Sequence, residues 1–440
     1  MRLSEHVYRT VKRVSGPLLF VERVAEARSG EAVRIVPPEG PALEGEVLEI
    51  DGDTVLVEVF GETRGLDIEK SQVAFTDSVK KAPLSRLVLG RVFNGSFTPI
   101  DGLPMYVAEK WAPITGSAIN PTARARAEEF VETGISVIDG LNTLVKGQKL
   151  PVFSGSGLPS KEVVAALLRH SRLRGPRHAM VVVFAGLGLT FRDYSFYRSV
   201  LDGMATNYVA FINLASDPVI ERLLAPRFAL TVAEYLAFEH AMDALVIVAD
   251  IVNYADALRE VSTARGELPG RRGYPGYMYS DLATLYERAG RVKGREGSVT
   301  MVPVVTMPED DITHPIPDLT GYITEGQIVL SRELHQKGVF PPVDVLPSLS
   351  RLMQSGIGEG RTRADHKKIA GRLYSLYARG RDLRKLEAII GREGMTPEDR
   401  KMLDFAEAFE TEFVHQGGAR RTIDETLDNA LGLLERFGLK

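Results

Sequence analysis

The stretch 149–168, KLPVFSGSGLPSKEVVAALL, has the spacing of a phosphate-binding loop. Such loops read G-x-x-x-x-G-K-[ST] between a strand and a helix; backbone amides and the lysine bind phosphate oxygens, and the hydroxyl binds magnesium. With the first glycine at Gly155, Ser160 takes the second glycine position, Lys161 the lysine position and Glu162 the hydroxyl position. The spacing is therefore kept, while two chemical groups of the loop are replaced.

The replacements weaken phosphate binding. Ser160 raises the cost of a positive φ by roughly 1–2 kcal/mol, Pro159 lacks a backbone N–H, and Glu162 brings negative charge to the place of the phosphate oxygens. Lys161 is able to contact an anion, to pair with Glu162 or to face water. We expect weak or absent nucleotide binding rather than tight binding. The residues that would hold a nucleotide are Gly155, Ser156, Gly157 and Lys161.

Two strand ends bear on hydrolysis. ALVIVAD (244–250) ends at Asp250, where related sheets hold a carboxylate that works with magnesium, although many strand-end aspartates only cap the next turn. Hydrolysis also needs a carboxylate after a neighbouring strand to polarise water. The residue after Gly188 is Leu189, which has no such group, and Asp193 lies several residues into the next predicted helix. The sequence therefore does not favour hydrolysis by this chain alone.

Arg351, in PSLSRLM (347–353), is a further candidate for phosphate chemistry. A guanidinium is planar, always charged and suited to phosphate oxygens, although an arginine in such a turn is more often a surface ion-pair partner. No Ser–His–Asp or paired-carboxylate pattern is present. We predict no metal site, because His314 and His335 are too far apart in sequence to propose as ligands.

Composition excludes several classes of protein. The 440 residues carry a net charge of −4, which argues against nucleic acid as a partner, and the absence of cysteine excludes disulfides and thiolate metal sites. No apolar run is long enough to span a bilayer, and the first residues lack the apolar core of a signal peptide. We expect a cytosolic protein of two or three domains.

The elements that would position these residues fall into three regions. Residues 1–75 read as short strands of a β-barrel or sandwich, with a hairpin turn at Asp51-Gly52 in which both central residues need positive φ. From about 76 to 125 the chain reads as connection wrapped on the next domain, with Trp111 in a packing role. We predict domains at 1–75 (β-barrel), 76–354 (α/β, with the degenerate loop) and 355–440 (helical).

The central region alternates strands and helices, as parallel α/β sheets do, and such sheets place ligands at the carboxyl ends of their strands. The predicted strands are 150–153, 179–186, 207–215, 244–250 and 298–305. In the last region, one helix begins at Thr396-Pro397, and another at the capping box Thr422/Glu425. The apolar stripe of Ile423, Leu427, Leu431 and Leu434 predicts a bundle core.

Several long blocks resemble one family, and together they cover nearly the whole chain. The sequence is similar to the B subunit of V/A-type rotary ATPases, whose plan is a β-barrel, an α/β nucleotide-binding-type domain and a helical domain. The blocks are VSGPLLF (14–20), NGSFTPIDG (94–102), TGISVIDGLNTLVKGQKLPVFSGSGLP (133–159), ALTVAEYLAFEH (229–240), RRGYPGYMYSDLATLYERAG (271–290) and HPIPDLTGYITEGQI (314–328).

The resemblance implies a non-catalytic, regulatory subunit. Three B subunits would alternate with three catalytic A subunits around a central stalk, with peripheral stalk subunits at the N-terminal barrel. SGSGLP marks the lost loop, Leu189 stands in place of the catalytic glutamate, and Arg351 would reach ATP or ADP and magnesium held by the A subunit, with Tyr322 in the same region. ATP turnover would be coupled to proton or sodium transport through a membrane rotor, on the cytoplasmic side, so that this chain meets the membrane only indirectly.

Two alternatives remain open. One is an independent hexameric P-loop ATPase, of a translocase or export type. Ser160, Glu162 and Leu189 count against it, because other residues would have to supply the three functions lost at these positions. A purely structural ring subunit differs from the regulatory one only in whether Arg351 reaches nucleotide.

Overall fold

The N-terminal region is a seven-stranded, all-antiparallel sheet. The computed structural model describes residues 6–63, 65–174 and 180–439. Alternate residues, most of them valine, point into the core of this sheet, as Val55, Val57 and Val59 do. The strands are β1 (His6–Tyr8), β2 (Val11–Ser15), β3 (Leu18–Glu22), β4 (Glu31–Val36), β5 (Leu43–Asp51), β6 (Thr54–Phe60) and β7 (Gln72–Val79), in the order β1-β7-β4-β5-β6-β3-β2.

The predicted hairpin joins β5 and β6, but its turn lies one residue later than predicted. Asp51 pairs with Thr54, so the two-residue loop is Gly52-Asp53. Only Gly52 has a positive φ, of 57°. Positive φ at the first central residue alone is the pattern of a type II′ turn, whereas the prediction required it at both. Gly52 therefore serves as the first central residue, and Asp51 closes the strand.

The connecting region contributes strands of its own: β8 (Lys81–Leu84), β9 (Arg91–Asn94) and β10 (Lys110–Pro113). β8 pairs with β10, and β9 becomes the edge strand of the central sheet. Trp111, on β10, is 61% exposed, so most of its side chain is not packed, in contrast to the packing role that the sequence predicted. In β10 its register partner is Pro83, and its ring lines a surface cleft.

The central sheet confirms the five predicted strands and adds four. Ala179, the first residue of one predicted strand, lies outside the described residues. The main sheet has the order β21-β20-β13-β19-β17-β15-β16-β9. The strands of the region are β11 (Phe130–Glu132), β12 (Leu144–Val145), β13 (Val152–Gly155), β14 (Arg172–Leu173), β15 (Met180–Leu189), β16 (Tyr208–Leu214), β17 (Asp243–Ala249), β18 (Gly290–Arg291), β19 (Ser298–Met307), β20 (Gly326–Leu330) and β21 (Val343–Ser350).

Helices cover both faces of this sheet, because successive residues of a buried strand point to opposite sides. In β15, Val182 and Phe184 face one apolar cluster, and Val181 and Val183 face the other. The helices are α1 (Ser136–Leu141), α2 (Ser160–His170), α3 (Phe191–Asp202), α4 (Val219–His240), α5 (Ile251–Arg265), α6 (Met278–Tyr286), α7 (Pro315–Ile323), α8 (Arg332–Gln336) and α9 (Met353–Gly356).

Two of the added strands, β20 and β21, set the direction of the chain at one side of the sheet. β20 is parallel to β13, with Ile328 opposite Val152. β21 is antiparallel to β20, and its last residue, Ser350, pairs with Gly326. The carboxyl end of β21 therefore lies at the edge where β13 and β20 begin.

The last region is helical, as predicted: α10 (His366–Ile390), α11 (Pro397–Ala408), a π-helical segment (Phe409–Val414) and α12 (Ile423–Arg436). Thr396 caps α11, and the capping box of Thr422 and Glu425 begins α12. The Nε2–H of buried His366 donates to the Gly140 carbonyl (2.9 Å), which ties α10 to α1, and its Nδ1 lies 3.0 Å from the Thr362 hydroxyl. The domain limits stay predictions. Within the described ranges, no helix combines the length and apolar character needed to cross a bilayer.

Candidate functional site

The degenerate loop joins β13 to α2 and uses its own backbone amides. The N–H of Leu158 donates to the Gly155 carbonyl (3.2 Å), and the N–H of Ser160 donates to the Leu158 carbonyl (2.8 Å). Pro159 between them has no N–H. Gly157 has a φ of 79°, which a glycine adopts without strain. The three consecutive positions 158–160 therefore offer no free backbone N–H to a phosphate.

Lys161 is paired within the chain. Its Nζ lies 3.1 Å from Asp193 Oδ1 and 5.6 Å from the centre of the Phe196 ring. Asp193 also accepts a hydrogen bond from the Thr190 hydroxyl (2.7 Å). Although partial burial acts in the opposite direction, the bonds from Thr190 and Lys161 hold the pKa of Asp193 below its usual value. The sequence allowed Lys161 to contact an anion, to pair with Glu162 or to face water. In the structure its ion-pair partner is Asp193 instead.

A second ion pair fills the strand end of the loop. Arg332 donates to both carboxylate oxygens of Asp310 (2.9 Å each) and to the Ser156 carbonyl (3.0 Å). Asp310 packs so closely on Gly155 that a Cβ there would lie 1.9 Å from its Oδ1. Sequence reasoning missed this pair, because neither residue belongs to a local motif.

Beside the loop lies a cavity of about 640 Å³, whose lining includes Lys161, Glu162, Leu189, Asp193 and Asp250. Its charged lining comprises one lysine and three carboxylates, and Glu162 Oε2 is buried with no hydrogen-bond partner in the described ranges. The excess of negative charge in this lining would repel a polyphosphate. The residues therefore do not fit a magnesium nucleotide at this loop. Within the described parts of the chain, no group of three or more His, Asp or Glu side chains is placed to hold a metal ion.

Asp250 fills the capping role that the sequence left open. It accepts hydrogen bonds from the N–H of Val252 (2.8 Å) at the start of α5 and from the N–H of Thr306 (3.0 Å) on β19. Burial raises the pKa of Asp250 to about 6. Leu189, at the end of β15, is buried and only 9% exposed, so no carboxylate takes the water-polarising position there.

Arg351 and Tyr322 lie at the opposite edge of the sheet from the loop. The N–H of Arg351 donates to the Glu325 carbonyl (3.0 Å), and its guanidinium donates to the Thr324 carbonyl (3.3 Å). Its side chain is exposed, and no ion pair joins it to a carboxylate of the described residues. Tyr322 is 78% exposed, with its ring edge-on to Tyr279 at 6.5 Å between centroids.

Strand direction separates these two residues from Gly155, Ser156, Gly157 and Lys161. Ser350 pairs with Gly326 at the start of β20, whereas the loop follows the end of β13, which is parallel to β20. The five steps from Leu150 to Gly155 extend about 17 Å at the rise of a β-strand. The structure therefore brings Arg351 and Tyr322 together near one edge and leaves the predicted loop residues at the other.

Family models match all three regions. Residues 11–77 match the ATP synthase alpha/beta family, beta-barrel domain; residues 134–350 match the nucleotide-binding domain of the same family. Residues 355–439 match the C-terminal domain of V and A type ATP synthase. The barrel, the nucleotide-binding α/β domain and the C-terminal helical domain predicted from sequence are thereby confirmed.

Known relatives share the full length. The chain is 70% identical over 440 residues to the V-type ATP synthase beta chain of Geotalea uraniireducens (strain Rf4), covering 100% of each chain. It is 52% identical to the protein of the same name from Thermus thermophilus, covering 99% of this chain and 93% of that one. A solved structure, the ATP synthase subunit NeqB from Nanoarcheaum equitans, aligns with a TM-score of 0.75 and 37% identity over 96% of this chain and 100% of that one. The chain therefore belongs to the ATP synthase alpha/beta family, as a B subunit of the V/A type.

Proposed function

We propose that this B subunit does not hydrolyse ATP itself and that it supplies Arg351, across a subunit interface, to nucleotide held by the catalytic A subunit. The observation that carries the proposal is the placement of Arg351. Arg351 is an exposed residue, its guanidinium has no carboxylate partner among the described residues, and it lies at the sheet edge opposite the chain's own loop. An arginine placed in this way is able to serve a neighbouring subunit but not its own cavity.

The physical role of Arg351 would be electrostatic. A guanidinium binds phosphate oxygens with a planar set of donors and stays charged at every accessible pH. When bound, the magnesium nucleotide supplies the phosphoryl group, and Arg351 would neutralise charge that develops on it. An arginine supplied in trans raises turnover by a factor of roughly 10³–10⁵ in related phosphoryl-transfer enzymes. Tyr322 would border the same nucleotide, two residues from the Thr324 carbonyl that orients Arg351.

The absence of catalysis by the chain alone is supported by its own loop. The amides of Leu158 and Ser160 bond within the loop, Lys161 is paired with Asp193, and Leu189 offers no base. Gly155, Ser156, Gly157 and Lys161 remain the residues that would contact an anion there, and we propose that nucleotide binds them weakly or not at all. These same features disfavour an independent P-loop translocase.

The assembly follows from the family. We propose three B subunits alternating with three A subunits, a central stalk inside the ring and peripheral stalk subunits at the N-terminal barrel. This sector would lie on the cytoplasmic side of the membrane and would couple ATP turnover to ion transport through the rotor. The family resemblance and the full-length identity to V-type ATP synthase beta chains support this arrangement.

The test compares Arg351→Ala with the wild-type chain, each assembled with its A subunit. We expect intact assembly and a fall in kcat of at least about a hundredfold, because a trans arginine contributes roughly 10³–10⁵. Arg198→Ala is the control, since it removes a partly buried arginine whose partner, Asp202, lies on the same helix, away from Arg351. Unchanged turnover in Arg351→Ala would favour the purely structural role, and robust magnesium-ATP hydrolysis by the isolated chain would contradict the non-catalytic role.

A further inference from the structure

A charge network centred on a buried lysine lies next to Arg351. The Lys149 side chain is 3% exposed, and its Nζ contacts Glu325 Oε1 (2.8 Å) and Glu287 Oε1 (3.1 Å). The other oxygen of Glu287 pairs with Arg124 (2.5 Å). Two cations and two carboxylates thus alternate from the linker at Arg124 to the turn before β20.

Glu325 is held by more than its charge. The N–H of Lys149 donates to Glu325 Oε2 (2.8 Å), and the N–H of Glu325 donates to the Lys149 carbonyl (3.0 Å). The buried side chain of Gln148 donates to the Glu325 carbonyl (3.0 Å) and to the Ser350 hydroxyl (3.0 Å). Ser350 in turn donates to the Thr143 carbonyl (2.8 Å). Glu325 and the residue before Arg351 are therefore fixed to the same buried segment, 148–149.

Arg351 depends on this fixed segment for its position. Its N–H donates to the Glu325 carbonyl, and its guanidinium donates to the Thr324 carbonyl. Residues 324 and 325 thus accept both of these hydrogen bonds from Arg351. The backbone around this contact is close-packed. Gly326 has a φ of 138°, and a Cβ there would lie 2.1 Å from the Leu349 carbonyl oxygen. A movement of Glu325 must therefore move Arg351.

Such a network is a costly way to gain stability. Burying the Lys149 ammonium beside two partly buried carboxylates carries a desolvation penalty that their attraction often only offsets, and apolar residues of similar volume commonly stabilise as well. What charged, directional contacts add is a unique position for the groups they hold. We infer that Glu325, held by Lys149, is a positioning residue for Arg351; this rests on the proposed function of Arg351 at a neighbour's nucleotide.

The experiment uses Glu325→Gln in the chain assembled with its A subunit. Glutamine keeps the shape and one oxygen for the Lys149 N–H, but it loses the charge that holds Nζ. We expect kcat to fall roughly tenfold or more with KM unchanged, because a displacement of about 1 Å can cost up to a hundredfold in rate. Glu333→Gln is the matched control, since Glu333 also pairs with a lysine, Lys337, but lies on α8.

The double variant separates positioning from a general structural effect. In the Arg351→Ala background, Glu325→Gln should produce no further loss of kcat; an additional loss would overturn the inference. If Arg351→Ala lowers kcat and Glu325→Gln does not, the inference fails while the proposed function stands. If Arg351→Ala itself has no effect, the proposed function fails. If Glu325→Gln does not assemble, Glu325→Asp, which keeps the charge on a shorter side chain, takes its place. It is compared in the wild-type and Arg351→Ala backgrounds, where a loss of kcat in the first and no further loss in the second is again the expected result, and any other pattern overturns the inference.

Discussion

Asp193→Asn should raise the affinity of the degenerate loop for anions by a small factor. In the wild-type chain the carboxylate of Asp193 lies 3.1 Å from Lys161 Nζ and faces the cavity beside the loop. Asparagine keeps an oxygen for the Thr190 hydroxyl at the start of α3, so the helix retains its cap. The substitution therefore removes one negative charge and frees one lysine without rebuilding the site.

The expected gain is small and can be bounded. The two side chains are 33% and 30% exposed, and ion pairs of this exposure contribute about 0.2–1 kcal/mol. Releasing Lys161 from such a pair lowers the free energy of anion binding by at most about 1 kcal/mol, which is about fivefold in Kd. The loop amides of Leu158 and Ser160 stay bonded within the loop, so a larger gain is not expected.

The assay is a calorimetric titration of the full chain with pyrophosphate and with ADP at low ionic strength, where exposed charges are least screened. Lys161→Met in the Asp193→Asn background should abolish the gain. Asp202→Asn is the control, because Asp202 lies on the same helix and pairs with Arg198 instead. An equal gain in Asp202→Asn, or no gain in Asp193→Asn, would show that the pairing of Lys161 does not limit binding.

Two further predictions concern stability and the interface. Burial raises the pKa of Glu58, on β6, to about 7, with Arg265 3.8 Å away and Glu46 beside it. The folded chain then keeps this proton from about pH 4.5 to about pH 7 where the unfolded chain has lost it, so the stability from Glu58 is lost as pH rises through that window. Glu58→Gln should therefore raise the unfolding midpoint at pH 8 more than at pH 5 in thermal scans, and a constant difference would contradict this. Gly326→Ala should cost about 1–3 kcal/mol through its strained φ, and it should also lower turnover of the complex through the contact with the Leu349 carbonyl; Gly338→Ala, also at positive φ (75°) but with nothing within 4 Å, should leave turnover unchanged.

Local pattern predicted most of the elements. The five central strands were found because buried parallel strands are continuous apolar runs, and α11 and α12 begin at the predicted caps. β20 and β21 were missed, because neither is a continuous apolar run: β20 begins with Gly326 and Gln327, and the apolar residues of β21 are interrupted by Asp344, Pro347 and two serines. The offset of the Gly52 turn shows that a dipeptide indicates a hairpin, whereas the cross-strand register fixes which residues close it.

The site was predictable in its residue types but not in its pairings. Ser160, Glu162 and Leu189 can be read as losses directly from the loop and strand ends. The partners of Lys161 and Gly155 could not, because Asp193 and Asp310 approach them only through tertiary packing. The placement of Arg351 opposite the loop also depends on the antiparallel direction of β21, which is a long-range property.

β13 directly connects the segment that holds Glu325, at one end of the strand, with the degenerate loop at the other end. Lys149, which holds Glu325, and Gly155, which contacts Asp310, are separated only by Leu150, Pro151 and the buried strand. β13 lies between β19 and β20 in parallel register, and close-packed interiors are hardly compressible. β13 therefore fixes the distance between the loop and the segment 148–149 that holds Glu325, so these two parts of the subunit keep their separation as long as the sheet is intact.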